Sequence, residues 1–191
     1  VTYDGASFRE RRGNGLVRDV FHERHIQKLH GNFGLGHVRY PTAGTTDASE
    51  AQPFFVNAPY GIYLIHNGNL TNADEQRNAV QDGYHRHLKT GSDTEVMLNV
   101  FADEIYGVMK KNGRKIEDQI FVAVENLMKR IRGAYSVICV IDGVGLLAFR
   151  DPNGIRPLVY GVRRSEAGDE YMVASESIAL DSHDFELIDV E

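Results

Sequence analysis

The order of the predicted elements constrains the fold of this 191-residue chain most strongly: strands come first, then helices, then strands again. Residues 93–110 carry apolar side chains at three- and four-residue steps, which predicts a helix with one buried face. A second helix is predicted over 116–130. Residues 134–141 form a nearly continuous apolar run rich in β-branched side chains, typical of a buried strand. This order favours an α+β fold, with sheets and helices in layers, over an alternating β-α-β chain.

Shorter elements are predicted on both sides of the two helices. In chain order they are a hairpin over 1–12, a helix over 17–29, a strand over 34–40, a hairpin over 54–67, a helix over 73–80, strands over 144–150, 157–162, 171–174 and 185–190, and a short helix starting near 175. Residues 41–53 show no periodicity, and a loop of this length in a compact domain is often a functional lid.

Composition excludes several classes of protein. Apolar residues make up 42% of the chain and charged residues 25%, as in globular domains. A net charge of −6 disfavours nucleic acid and anionic membranes as partners. No apolar run could span a bilayer and no signal peptide opens the chain. Cys139, the single cysteine, allows neither an intrachain disulfide nor a cysteine zinc cluster, so a reducing, cytoplasmic setting is expected.

The first five residues look like the middle of a hairpin, and the chain does not begin with methionine. We therefore expect the sequence to be a piece of a longer protein.

Asn67 and Gly68 follow directly after an apolar run over 62–66. A side-chain amide beside a main-chain N–H at the end of a strand offers the two donors that an oxyanion hole needs. Asn-Gly is also the strongest short signal for a hairpin turn, and this alternative stays open.

Other candidate sites are weaker. His22 and His25 are three residues apart, whereas the zinc signature places its histidines four apart, so a solvated helix face is favoured. The run over 150–157 could cradle a phosphate with its arginines, but its Asp-Pro and Asn-Gly pairs favour a structural turn. Cys139 is interpreted as a small core residue and not as a nucleophile.

Three motifs together carry a family resemblance. They are Gly-His-Val-Arg-Tyr-Pro-Thr-Ala-Gly at 36–44, His-Asn-Gly-Asn-Leu-Thr-Asn at 66–72 and Ser-Asp-Thr-Glu at 92–95. With them the chain resembles the class II glutamine amidotransferases, which are N-terminal-nucleophile hydrolases. Two further runs, at 149–158 and 173–177, resemble the glutaminase domain of the amidophosphoribosyltransferase family.

The resemblance runs in order over nearly the whole chain. It implies that residues 1–191 form one glutaminase domain with the four-layer αββα sandwich of N-terminal-nucleophile hydrolases, lacking the N-terminal strand segment. A phosphoribosyltransferase domain with a Mg²⁺ site is expected beyond residue 191. The implied partners are L-glutamine and phosphoribosyl pyrophosphate. The intact protein is expected to be a homo-oligomer. No cofactor or metal is implied for these 191 residues.

The resemblance also implies roles for individual residues. Arg39 would hold the α-carboxylate of glutamine, a task suited to a planar and permanently charged fork. Asp93, at a helix N-terminus, would bind the α-ammonium group. Asn67 and Gly68 would form the oxyanion hole.

The lid and the nucleophile complete the implied site. Residues 40–50, beginning with Tyr40 and Pro41, would form a lid that closes over glutamine, and Thr42 would line the site from that lid. The nucleophile of the family is an N-terminal cysteine whose own α-amino group acts as the base. Because no residue of this chain matches that cysteine, we expect the 191 residues alone to be inactive.

Two other interpretations remain open. The chain could belong to a glutamine-binding sensor or pseudoenzyme that kept the binding residues without a nucleophile. It could also belong to a sibling amidotransferase with another acceptor domain.

Overall fold

The computed structural model describes residues 1–39, 48–83, 85–109 and 115–188. The strands within these ranges are β1 (Thr2–Tyr3), β2 (Phe8–Arg9), β3 (Phe33–Gly34), β4 (Phe54–Val56), β5 (Ile62–Leu70), β6 (Gly133–Ile141), β7 (Gly145–Arg150), β8 (Val159–Ser165), β9 (Gly168–Ala174) and β10 (Glu186–Ile188). The α-helices are α1 (Val17–Val20), α2 (Glu23–Ile26), α3 (Ala73–Asn78), α4 (Asp93–Met109), α5 (Ile116–Arg130) and α6 (Ser177–Asp181). A 3₁₀ helix covers Ala48–Glu50.

The central sheet has the strand order β4-β5-β6-β7, and all its neighbouring pairs are antiparallel. Its longest pairing joins β5 to β6 over nine residues, from Ile62 opposite Ile141 to Leu70 opposite Gly133. Leu64 packs into the core on one face of this sheet, and Ile65 packs into a second core on the other face. Burial on both faces explains why these strands are nearly continuous apolar runs.

Helices α4 and α5 pack together over one face of the central sheet. The stretch 94–102 of α4 is buried residue after residue, because α3, α5, β4 and β5 all contact this helix. The single buried face predicted for this helix is therefore wrong for its first half, which is buried on every side. Each large apolar side chain buried here, such as Phe101, contributes roughly 1.5–3 kcal/mol to stability.

Strands cover the other face of the central sheet. The small sheet β2-β1-β3 places Val1, Tyr3 and Leu35 in a core with Tyr63 and Ile65 of β5. A third sheet, β10-β8-β9, packs with α6 near the C-terminal end of the described chain. The predicted α+β class is confirmed.

The turn after β7 is organised around the carboxylate of Asp151, which is 2% exposed. It accepts the main-chain N–H groups of Asn153, Ile155, Arg156 and Tyr135 at 3.1–3.3 Å. Burial alone would raise the pKa of Asp151, but these main-chain hydrogen bonds bring the pKa below its ordinary value. These main-chain N–H groups are thus already bonded, which agrees with the structural turn favoured from the sequence.

Two predicted elements are corrected. The helix predicted over 17–29 is two short helices, because Phe21 and His22 take extended backbone angles between α1 and α2. Of the strand predicted over 34–40, only Gly34 belongs to a strand among the residues described. The hairpins predicted over 1–12 and 54–67 are confirmed, as is the helix predicted over 116–130.

Within the described ranges, no helix is both long enough and apolar enough to cross a membrane.

Candidate active site

A cavity of about 820 Å³ lies where the end of β5, the start of α4 and the segment around Arg39 meet. Arg39, Asn67, Gly68 and Asp93, all predicted for the site, line this cavity. Arg156, from the turn that Asp151 organises, lines it from the other side. Residues far apart in sequence thus converge because the fold brings a strand end, a helix start and two loops together.

Asn67 and Gly68 belong to the long strand β5, so the alternative of a hairpin turn is wrong. Gly68 has a φ of +145° and lies opposite Tyr135. A Cβ atom at this position would lie 2.0 Å from the carbonyl oxygen of Ala134. Only glycine allows the two strands to approach this closely while the backbone keeps a positive φ.

Asn67 lies opposite Ser136 on β6 and is half-buried. Among the hydrogen bonds of the described residues, none involves the side-chain amide of Asn67, although this amide borders the cavity. A half-buried amide without a protein partner is available to a ligand. The N–H donor predicted for an oxyanion hole is therefore present at the wall of the cavity.

Asp93 is the first residue of α4, and its side chain is 23% exposed. Oδ2 accepts the main-chain N–H of Leu70 at 2.9 Å, which ties the helix to the end of β5. Oδ1 lies 3.8 Å from Nδ1 of His66. The helix dipole stabilises a carboxylate at this end, so Asp93 offers negative charge to a ligand in the cavity.

Arg39 supplies positive charge to the same cavity. One of its terminal nitrogens donates to Oε2 of Glu50 at 2.7 Å, and Glu50 is 7% exposed. A carboxylate buried this deeply requires a charged partner. A guanidinium carries five N–H donors, so the bond to Glu50 uses only part of its hydrogen-bonding capacity.

His66 is buried beneath the start of α4. Nδ1 lies 3.1 Å from the hydroxyl oxygen of Thr94, and Nε2 is one of two buried side-chain polar atoms without a partner in the described part of the chain. Burial lowers the pKa of His66 to about 4; Asp93 opposes this shift, and the charges of His37 and Arg156 add to it. His66 is therefore neutral at pH 7.

This neutral histidine should make stability depend on pH. Between about pH 6.5 and pH 4 the unfolded chain protonates at position 66 and the folded chain does not, so the free energy of unfolding falls as the pH falls. The loss from His66 is up to about 3 kcal/mol. Urea unfolding of His66→Gln across this range is expected to show a flatter dependence on pH than the wild type. An equal slope in both proteins would contradict the assignment.

The part of the sequence that matches a known protein family includes the cavity residues Arg39, Asn67, Gly68 and Asp93. Over residues 37–182 the sequence matches the family described as the glutamine amidotransferase domain. The chain belongs to this family. An amidophosphoribosyltransferase of Escherichia coli is 55% identical to this glutamine amidotransferase domain over 190 residues, covering 98% of the chain and 37% of the relative. One of Saccharomyces cerevisiae is 45% identical over 176 residues, covering 91% and 34%.

Solved structures resemble the amidotransferase domain throughout. The glutamine phosphoribosylpyrophosphate amidotransferase from B. subtilis, complexed with ADP and GMP, matches with a TM-score of 0.75 and 29% identity, over 98% of this chain and 37% of that one. The allosteric regulatory enzyme of purine biosynthesis matches with a TM-score of 0.78 and 30% identity, over the same shares. This likeness confirms the predicted fold class of N-terminal-nucleophile hydrolases. The chain spans little more than a third of the length of these relatives.

Some predictions about the amidotransferase site remain as they were. Tyr40, Pro41 and Thr42, predicted for the lid, lie outside the described residues. The roles of the four residues that line the cavity are still predictions, although their convergence agrees with them. Cys139 is fully buried, and burial raises the pKa of its thiol, as expected of a core residue. No cluster of three or more potential metal ligands occurs in the described part of the chain, and the pair His22 and His25 adds none.

Sequence reasoning missed the residues that support the site. Glu50 was predicted only as the end of the lid and Gln52 only as part of the loop, and His66 and Thr94 were assigned no role. Their contacts join segments far apart in sequence, so periodicity could not reveal them.

Proposed function

We propose that this domain is the glutaminase part of an amidophosphoribosyltransferase. It would release ammonia from L-glutamine for transfer to phosphoribosyl pyrophosphate, giving 5-phosphoribosylamine in the first step of purine biosynthesis. The observation that carries the proposal is the convergence of Arg39, Asp93, Asn67 and Gly68 on one cavity. The sequence identity with amidophosphoribosyltransferases over nearly the whole chain supports it further.

The charges of the cavity suit a zwitterionic amino acid. Arg39 would bind the α-carboxylate through its guanidinium, and Asp93 would bind the α-ammonium group. With both charged groups on the α-carbon held, the side-chain amide of glutamine is directed to one place in the cavity. We assign that place to Asn67 and Gly68, whose N–H groups would stabilise the oxygen as it becomes negative.

The reaction also needs a nucleophile, and Cys139 is not suited to this role. This only cysteine of the sequence is fully buried in β6, and a thiol with a raised pKa is a poor nucleophile. We place the nucleophile on an N-terminal cysteine of the intact protein, as the family resemblance implies. The 191 residues alone are then expected not to cleave glutamine.

In the proposed reaction the thiolate attacks the amide carbon, and the carbonyl electrons move to the oxygen held by Asn67 and Gly68. When the tetrahedral intermediate collapses, the C–N bond breaks and ammonia leaves with a proton supplied by the α-ammonium group of the nucleophile. Water then hydrolyses the thioester to glutamate and regenerates the thiol.

Asp93→Asn in the intact protein tests the substrate assignment. The amide oxygen of asparagine can still accept the N–H of Leu70, so the helix start stays in place while the negative charge is lost. We expect the KM for glutamine to rise about 10- to 100-fold with a much smaller change in kcat, measured as glutamate release. Asp118→Asn, a matched exposed carboxylate in the first turn of α5, should leave both constants unchanged. An unchanged KM in Asp93→Asn would remove Asp93 from the binding site.

A further inference from the structure

Gln52 lies beside β5, just beyond the end of the pairing between β4 and β5, and its side chain bonds to the main chain of β5. The register of β4 and β5 pairs Phe54 with Leu64, and continuing it places Gln52 opposite His66. Strand β4 begins only at Phe54, so this pair lies outside the main-chain ladder. The side chain of Gln52 takes over instead: Oε1 accepts the N–H of His66 at 2.6 Å, and Nε2 donates to its carbonyl at 3.0 Å.

The same amide also reaches the helix. Nε2 of Gln52 lies 3.2 Å from the hydroxyl oxygen of Thr94, which in turn lies 3.1 Å from Nδ1 of His66. His66 directly precedes Asn67, and Thr94 directly follows Asp93. The side chain of Gln52 thus joins the strand that carries Asn67 and Gly68 to the helix that begins with Asp93.

Gln52 is itself held in place from both sides. Arg12 donates to the carbonyl of Ala51 at 3.0 Å and to that of Pro53 at 3.2 Å. Two residues before Gln52, Glu50 pairs with Arg39. Because its neighbours in the chain are held in place, Gln52 can fix the position of the strand and the helix that its side chain contacts.

We propose that Gln52 is a positioning residue that holds the Asn67–Gly68 segment in register with Asp93. The inference rests on the proposed glutaminase function, and it adds a residue to which that function assigns no role. An oxyanion hole works only when its donors are placed to within a fraction of an ångström, and misplacement by 1 Å can cost about 100-fold in rate.

Gln52→Glu is the most direct variant, because it keeps the shape of the side chain. A carboxylate can still accept the N–H of His66, but it cannot donate to the carbonyl of His66 or to Thr94. We expect the kcat for glutamine hydrolysis to fall about 10- to 100-fold per active site, with the KM changed by less than about threefold. Active sites are counted by titration with an electrophilic glutamine analogue. Gln81→Glu, an exposed glutamine outside the cavity, is the matched control.

A purely structural role predicts something else: fewer active molecules, but a wild-type kcat in each. That result in Gln52→Glu would overturn the proposal. Thr94→Val guards against a variant that fails to fold, because it removes only one contact of the amide. We expect Thr94→Val to have a smaller effect on kcat, and to add little in the double variant with Gln52→Glu, since both act through one network.

Amide hydrogen exchange separates this inference from the proposed function. The N–H of His66 should exchange faster in Gln52→Glu than in the wild type, because the acceptor has lost the partners that fix its position. Unchanged protection of residues 66–68 would overturn the inference even in a protein that hydrolyses glutamine. Altered exchange in a protein without glutaminase activity would instead contradict the proposed function and leave the contact itself established.

Discussion

Replacing Gly68 with alanine is expected to destabilise the protein by more than about 3 kcal/mol, or to prevent folding altogether. The added Cβ would lie 2.0 Å from the carbonyl oxygen of Ala134 and 2.8 Å from the Cα of Tyr135. Both are main-chain atoms of β6, so no side chain can move to make room. The φ of +145° adds backbone strain for any residue other than glycine. The measurement is the free energy of unfolding in urea.

Gly107→Ala is the matched control for Gly68→Ala. Gly107 lies inside α4, and an added Cβ would have no atom within 4 Å. This second replacement is expected to stabilise the protein by roughly 0.5–1 kcal/mol, since alanine favours the helix and restricts the unfolded chain. A Gly68→Ala protein as stable as the wild type would mean that β5 and β6 do not approach as described.

Asn67→Asp is expected to lower the kcat for glutamine hydrolysis at least 100- to 1,000-fold. The change keeps the size of the side chain, removes the N–H donor and places a negative charge beside the developing oxyanion. The KM should change much less, because in the proposed site Arg39 and Asp93 would bind the α-carboxylate and the α-ammonium group, away from the reacting amide. Steady-state glutamate release by the intact protein measures both constants.

Asn78→Ala provides the comparison for position 67, because Asn78 is an exposed residue at the end of α3. It should leave kcat and KM unchanged. A kcat within about twofold of the wild type in Asn67→Asp would exclude the amide of Asn67 from the oxyanion hole.

The sequence predicted elements well where one local signal dominates. The bounds of α5 agree with the prediction, because its apolar stripe and charged face follow a helical period over four turns. The hairpin that ends in β5 was also predicted, since an Ala-Pro-Tyr-Gly turn at 58–61 separates two apolar runs. For the site, the family resemblance of three motifs named four residues that line the cavity, because such motifs can be compared without knowledge of the fold.

The predictions failed where distant parts of the chain decide the structure. At Asn67 and Gly68 the local sequence could not exclude a turn, and only the pairing with β6 shows that both belong to a strand. Apolar spacing over 17–29 suggested one helix, but the backbone extends at Phe21 and His22. The contact between Gln52 and His66 joins a side chain to the main chain of another strand, and no periodic pattern encodes such a bond.

The most direct test of the account uses an electrophilic analogue of glutamine on the intact protein, with the adduct located by peptide mass spectrometry. We expect the adduct on an N-terminal cysteine and not on Cys139, blocked by excess glutamine and strongly reduced in Asp93→Asn. An adduct on Cys139 would contradict the proposed site. Binding of glutamine without any adduct would show that the cavity recognises glutamine but does not cleave it.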